Sequence, residues 1–102
     1  MVVAEVSIVP IGTKTPSISK HVARALRVLR EAKDIKYELT AMGTIIEGDL
    51  DKIIKVIRQM HEDTFAEGVV RVLTTIKIDD RRDKTLSIDG KIGAVQRHLE
   101  HR

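Results

Sequence analysis

Residues 69–80, VVRVLTTIKIDD, decide how this chain folds. Side chains alternate between two faces along a strand. At that period Val70, Val72, Ile76 and Ile78 share one face, and Arg71, Leu73, Thr75, Lys77 and Asp79 share the other. The start of the chain, VVAEVSIVPIG, has the same character, with Ala4, Val6 and Ile8 facing one way and Glu5, Ser7 and Val9 the other. Two strands with one oily face and one mixed, ionisable face predict a sheet covered by helices on a single side. Function is then to be sought on the uncovered side.

Working outward, the first strand spans residues 2–11 and stops at Pro10 and Gly12. TKTPSIS reads as a loop entering a helix, with Ser17 as N-cap or Thr15 followed by Pro16 at the first helical position. That helix runs to about Lys33 on a stripe of Ile18, Val22, Ala25, Leu26 and Leu29. Residues 36–42 and 44–48 read as a hairpin turning at Met42-Gly43, with Tyr37, Leu39 and Ala41 toward the helices. Asp49 is placed to cap a helix carrying Leu50, Ile53, Ile54, Ile57 and Met60 and ending near Gly68. After the strand at 69–79 comes the charged loop DDRRDK. A last helix follows, capped by Ser87 or Asp89 and striped by Ile88, Ile92, Val95 and Leu99.

The order βαββαβ plus a C-terminal helix predicts an α+β fold. It is a ferredoxin-like sandwich, a four-stranded antiparallel sheet with helices on one face, in which residues 1–102 form a single domain. The 102 residues suffice for one modest core, and with aromatics at 2% that core is aliphatic. Leu73, Val9, Ile45 and Met42 fall on the open face, too much apolar surface to stay wet in so small a protein. Sheet-to-sheet packing into a homo-oligomer, or cover by the last helix, is expected.

Composition removes several classes of function. There are no cysteines, hence no disulfide, thiolate nucleophile or cysteine zinc site. Net charge is only +3. RNA-recognition domains of this strand order stack bases on aromatics, where this chain carries Val, Leu and Thr, so no nucleic acid is expected. No apolar run reaches membrane-spanning length and no signal pattern opens the chain, so a cytoplasmic protein without membrane contact is the expectation. His98 and His101 sit in a fraying last turn, and His61-Glu62 lacks the second histidine of a zinc-protease motif. No metal site is expected. The six glycines are dispersed and form no phosphate loop.

In the usual strand order of this fold the first strand lies between the third and fourth. Glu5 and Ser7 then neighbour Glu47 on one side and Arg71, Thr75 and Lys77 on the other, and a Met42-Gly43 turn sets Glu38 opposite Glu47. Carboxylates only accept hydrogen bonds, whereas hydroxyls both donate and accept. The cluster suits a cationic or amino-bearing ligand, but on the pattern alone an internal ion-pair network of Glu5 with Arg71 and Lys77 is the favoured reading, since structural networks imitate sites. In the loop at 79–84, Arg81 or Lys84 could hold an anion or bridge to another subunit, or the loop could simply be solvated.

The stretches AEVSIVPIGT, SIS with VA in the first helix, YELTAMGTIIEG and RVLTTIKIDDRRDK occur in order from residue 3 to about 97. Together they resemble the thiamine-binding protein family of short chains. That resemblance implies a ferredoxin-like domain assembling through its sheets, typically as a tetramer. It also implies non-enzymatic binding of thiamine or its hydroxymethylpyrimidine part, with no cofactor. The family's motif positions here are Glu5, Ser7, Thr13, Met42, Gly43, Thr44, Glu47, Gly48, Arg71, Thr75, Lys77, Asp79, Arg81 and Lys84.

Thiamine offers a cationic thiazolium and an aminopyrimidine. Glu5 or Glu47 would accept from the amine or balance the cation. Ser7, Thr44 and Thr75 would meet ring nitrogens, and Met42 and Ile45 would sandwich the ring. Arg71, Lys77 and Arg81 would pair with acids or meet an anion. The expected function is ligand binding on the open face at a subunit interface. The alternatives are an oligomerisation module without a ligand, and an enzyme acting on a pyrimidine-like compound through an unpaired Glu5 or Glu47.

Overall fold

The computed structural model describes residues 1–12, 19–66, 68–83 and 88–100. The elements run β1 (Val2–Pro10), α1 (Ser19–Glu31), β2 (Lys36–Thr40), β3 (Gly43–Gly48), α2 (Leu50–Asp63), β4 (Val72–Asp79) and α3 (Ile88–Glu100). The four strands form one antiparallel sheet in the order β2-β3-β1-β4. This is the ferredoxin-like α+β arrangement expected from the strand patterns.

Alternation along β1 builds the core. Val2, Ala4 and Val6 point to the helix side and are buried with Ile46 of β3, Ala25 and Leu29 of α1, and Ile53, Ile57 and Met60 of α2. Removing these side chains from water is the main favourable term in folding, about 1.5–3 kcal/mol for each fully buried large aliphatic. Tyr37 packs against the edge of this core, but Leu39, expected beside it, is more than half exposed. Ile54, expected in the α2 stripe, is also exposed, since it falls off the 3.6-residue face set by Ile53, Ile57 and Met60.

Several boundaries differ from the sequence reading. The hairpin turns at Ala41-Met42, with Thr40 opposite Gly43. The Thr40 hydroxyl closes this turn, donating to the Gly43 carbonyl at 2.9 Å and accepting the Met42 N–H at 3.3 Å. Gly43 is a strand residue at a close approach to β1: a Cβ there would stand 2.8 Å from the Val6 carbonyl oxygen. The register therefore sets Glu38 opposite Ile45 and Lys36 opposite Glu47, and the expected Glu38–Glu47 pair does not form.

β4 begins at Val72, not at residue 69. Val70 is 87% exposed, and Arg71 precedes the strand, its carbonyl accepting the Ile11 N–H at 2.9 Å. Ile76 and Ile78 lie on the helix side, opposite Val6 and Ala4, but remain exposed because β4 is an edge strand.

α2 ends at Asp63, five residues short of Gly68. The Thr64 hydroxyl there donates to the Met60 carbonyl at 2.7 Å. Asp49 occupies the N-cap position of α2 without making a side-chain cap bond. α1 ends at Glu31 rather than Lys33. The capping residues proposed at Thr15, Ser17 and Ser87, with Thr13, Ile18, Lys84 and His101, lie outside the described residues. Asp89 falls within the first turn of α3.

The stripe of α3 is not buried by its own chain. Ile88 is 3% exposed and packs on Val3, with Ile45 alongside, whereas Ile92, Val95 and Leu99 are about half exposed or more. The last helix thus touches the open face by its first turn alone.

Candidate functional site on the open face

Residues opposite one another share a face, so the register lays the open side out in rows across the sheet. The first row is Lys36, Glu47, Val3 and Asp79. The second is Glu38, Ile45, Glu5 and Lys77. The third is Thr40, Gly43, Ser7 and Thr75, and beyond it Val9 stands beside Leu73.

The first turn of α3 clamps the first row at three points. Ile88 sits on Val3, Asp89 accepts from Lys36 Nζ at 2.5 Å, and Lys91 Nζ meets Asp79 Oδ2 at 2.5 Å. The hydrogen bond to Asp89 holds the Lys36 ammonium above the ordinary lysine range. Its dehydration opposes this, and the fields of Asp89, Glu47 and Glu38 add to it. Glu47, in this row, is 8% exposed. Across the sheet it stands opposite Lys36 on β2 and Val3 on β1.

The second and third rows stay open. Glu5 meets Lys77 Nζ at 3.8 Å, with side chains 44% and 80% exposed, so the pair is loose and wet. Beside it lies a hollow of about 220 Å³ whose walls include Glu5, Ile45, Lys77 and the α3 residue Lys91. In the third row Gly43 carries no side chain, the β1 backbone at Val6 stands close against it, and the Glu5 Cγ is 3.7 Å from where a Gly43 Cβ would be. One carboxylate and the hydroxyls of Ser7 and Thr75 therefore border a floor without side chains.

Of the expected site residues, Glu5, Ser7, Ile45, Thr75 and Lys77 come together on this surface. Thr44 does not. Its partners across the sheet are Val6 and Leu39, which puts it on the helix side, 6% exposed. Met42 is at the hairpin tip and 84% exposed. Arg71 lies before β4 and outside the register. Arg81 is engaged within its own loop, Nε to Asp83 Oδ1 at 2.5 Å and an Nη to Oδ2 at 2.9 Å. Arg82 likewise pairs with Asp80 at 3.1 Å. The bond to Asp83 keeps the Arg81 guanidinium charged to still higher pH than usual.

The structure also holds a cleft lined by three of the expected site residues, Ser7, Met42 and Thr44, which the sequence reading did not set apart from the open face. This cleft has a volume of about 390 Å³ and lies between α1, the end of α2 and the β2–β3 hairpin. The signal available was the alternation itself: Thr44, two residues from Ile46, belongs with the core face. Among the described residues no group of three or more His, Asp or Glu is placed to hold a metal ion. No helix there is long and apolar enough to cross a membrane.

Fold and register together define a small α+β domain whose uncovered sheet face carries Glu5, Ile45, Ser7, Thr75 and Lys77. The sequence profile of the family described as Thiamine-binding protein matches residues 4–96, and the chain belongs to that family. It is 48% identical over 104 residues to the UPF0045 protein YqgV of Bacillus subtilis, covering 98% of this chain and 99% of that one. The crystal structure of protein MJ1052 from Methanocaldococcus jannaschii superposes with a TM-score of 0.86 at 45% identity, covering 93% of this chain and 95% of that chain. A domain of unknown function, DUF77, from Bacillus cereus superposes with a TM-score of 0.78 at 32% identity, covering 89% and 86%.

Proposed function

We propose that the protein binds thiamine, or its hydroxymethylpyrimidine half, without transforming it, on the open face of the sheet where a second copy closes the site. Membership of the thiamine-binding family supports the ligand. The observation that carries the location is Glu5, a half-exposed carboxylate with only a 3.8 Å contact to Lys77, beside a hollow and a row whose floor is Gly43. An acceptor-only group next to two hydroxyls matches the amine and ring nitrogens of an aminopyrimidine. The same carboxylate is free to balance a thiazolium cation, because its lysine partner is almost fully in water and competes weakly.

The assembly rests on exposed apolar surface. Val9 and Leu73 on the third-row side, and Ile92, Val95 and Leu99 on α3, are 36–64% exposed. A second copy laid over this face would bury them and roof the hollow, and packing of two such dimers would give the expected tetramer. Calorimetric titration of the ligand-stripped protein with thiamine tests the reading: micromolar binding lost in Glu5→Gln supports it, and unchanged binding in that variant refutes the location.

A further inference from the structure

We infer that the groove between the C-terminal half of α1, the turn into β2 and α2 is a second binding site. Its ligand is a small amphipathic anion, an apolar body with one carboxylate or phosphate head. The groove encloses about 610 Å³, the size of a small-molecule site. No described residue of it belongs to the open-face rows or to the cleft beside the hairpin.

The floor is apolar and fixed in place. It consists of Val28, Ala32, Ile35 and Val56, all half-buried, of which Val28, Ile35 and Val56 pack against the main core. Asp34, just before Ile35, has φ 61° and is the one non-glycine among the described residues in the left-handed region. Gly48 lies against this corner: a Cβ there would stand 2.7 Å from Ile35 Cδ1 and 3.3 Å from the Asp34 carbonyl oxygen. Lys52 Nζ fastens it by donating to Asp34 Oδ2 at 3.0 Å. Backbone held in a sparsely populated region collects at ligand clamps, and a floor ordered before binding lowers the cost of binding.

The rim sets the sign of the guest. Lys33, Lys52 and Lys55 gather where α1 ends and α2 begins. At the far end Gln59 Nε2 donates to Asp63 Oδ1 at 2.8 Å, so those two satisfy each other. Lys52 is engaged with Asp34, whereas Lys33 and Lys55 form no ion pair or hydrogen bond among the described residues. Glu31 is the one acid of the lining outside these pairs, and it is exposed. The negative end of α1 lies beside the positive end of α2, so their dipoles offset each other and the two ammonium groups decide the sign. An anionic head therefore belongs at Lys33 and Lys55, with its apolar body along the floor. From Lys52 to Asp63 the α2 wall is about 16 Å long at the helical rise, enough for an extended hydrocarbon body.

The test is a ¹H–¹⁵N NMR titration of the full chain with decanoate and with decyl phosphate, each below its micellar concentration. It is run in wild type and in the double variant Lys33→Gln, Lys55→Gln. Acetate supplies the head without the body, and decyltrimethylammonium the body with the opposite charge. The expected result is saturable shifts at Val28, Ala32 and Val56 with one or both decyl anions, weakened tenfold or more in the double variant and absent with the two controls. The tighter anion names the head group. Should the double variant fail to fold, Lys55→Gln alone carries the comparison. No shifts with either anion at millimolar concentration, equal shifts with the ammonium, shifts undiminished in the variant, or shifts confined to residues 88–100 would each overturn the site. Glu5→Gln leaves the decyl-anion shifts unchanged, so this site and the open-face reading fail independently.

Discussion

Glu5 and Lys77 face each other across β1 and β4 at 3.8 Å, the longest of the ion pairs among the described residues. At this separation, with the lysine 80% exposed, the pair contributes little to stability, about 0.2–1 kcal/mol at most. Lys77→Met should therefore leave the urea midpoint nearly unchanged and strengthen thiamine binding slightly, because it removes a competing cation from Glu5. A large loss of stability would make the pair structural and favour an oligomerisation module over a ligand site.

Gly43 is required by proximity. Gly43→Ala would place a methyl 2.8 Å from the Val6 carbonyl, and backbone must move to relieve it. The expected cost is about 1–3 kcal/mol, read from equilibrium urea unfolding. Stability equal to wild type would mean that β3 and β1 are not so close.

Ile88 is the anchor of α3. It is the one buried residue of the stripe, resting on Val3. Ile88→Ala should release the helix while the core of Leu29, Ile46 and Ile53 holds. Hydrogen–deuterium exchange should quicken across 88–100, by about tenfold or more if the substitution costs the usual 2 kcal/mol or above. Uniform acceleration through the chain would instead show α3 to be part of one cooperative unit.

The Lys36–Asp89 bond gives this docking a pH dependence at the alkaline end. A folded-state value raised above the ordinary lysine 10.5 means the contribution is complete below that value. It is lost as pH rises through the raised value. Ile88 methyl signals should thus be constant through neutrality and shift toward the undocked position above about pH 10.5, and Lys36→Met should abolish that step. A step of equal size in the variant would assign it to another group.

Leu73→Glu tests the assembly. Leu73 is 56% exposed beside Val9 on the open face, and a charge there should dissociate the oligomer to smaller species by light scattering. A wild-type chain that is already monomeric, or an oligomer indifferent to the change, would remove the subunit interface from the account.

How far the fold was legible follows from which signals were local. Alternation in β1 and β4 and the 3.6-residue stripes of α1 and α2 report burial directly, and they led to the strand order. The hairpin did not yield, because glycine marks both a turn and a close approach. Gly43 is the second, and the turn is closed by a threonine hydroxyl one strand away. A shift of one residue in that turn moved the register by two and replaced the Glu38–Glu47 pair with Lys36–Glu47, while Thr44 falls on the core side by alternation with Ile46. The stripe of α3 is visible in the sequence, but of its residues Ile88 alone is buried, and which surface a helix stripe meets is not a local signal.

The central claim is that Glu5 on the open face receives the ligand. The most direct measurement is calorimetric titration of ligand-stripped wild type and Glu5→Gln with thiamine, with hydroxymethylpyrimidine and thiamine diphosphate alongside. The account predicts micromolar binding at about one site per chain or per pair of chains, lost in Glu5→Gln while light scattering reports the same oligomer. Equal binding in both proteins, or no heat with any of the three, would contradict it.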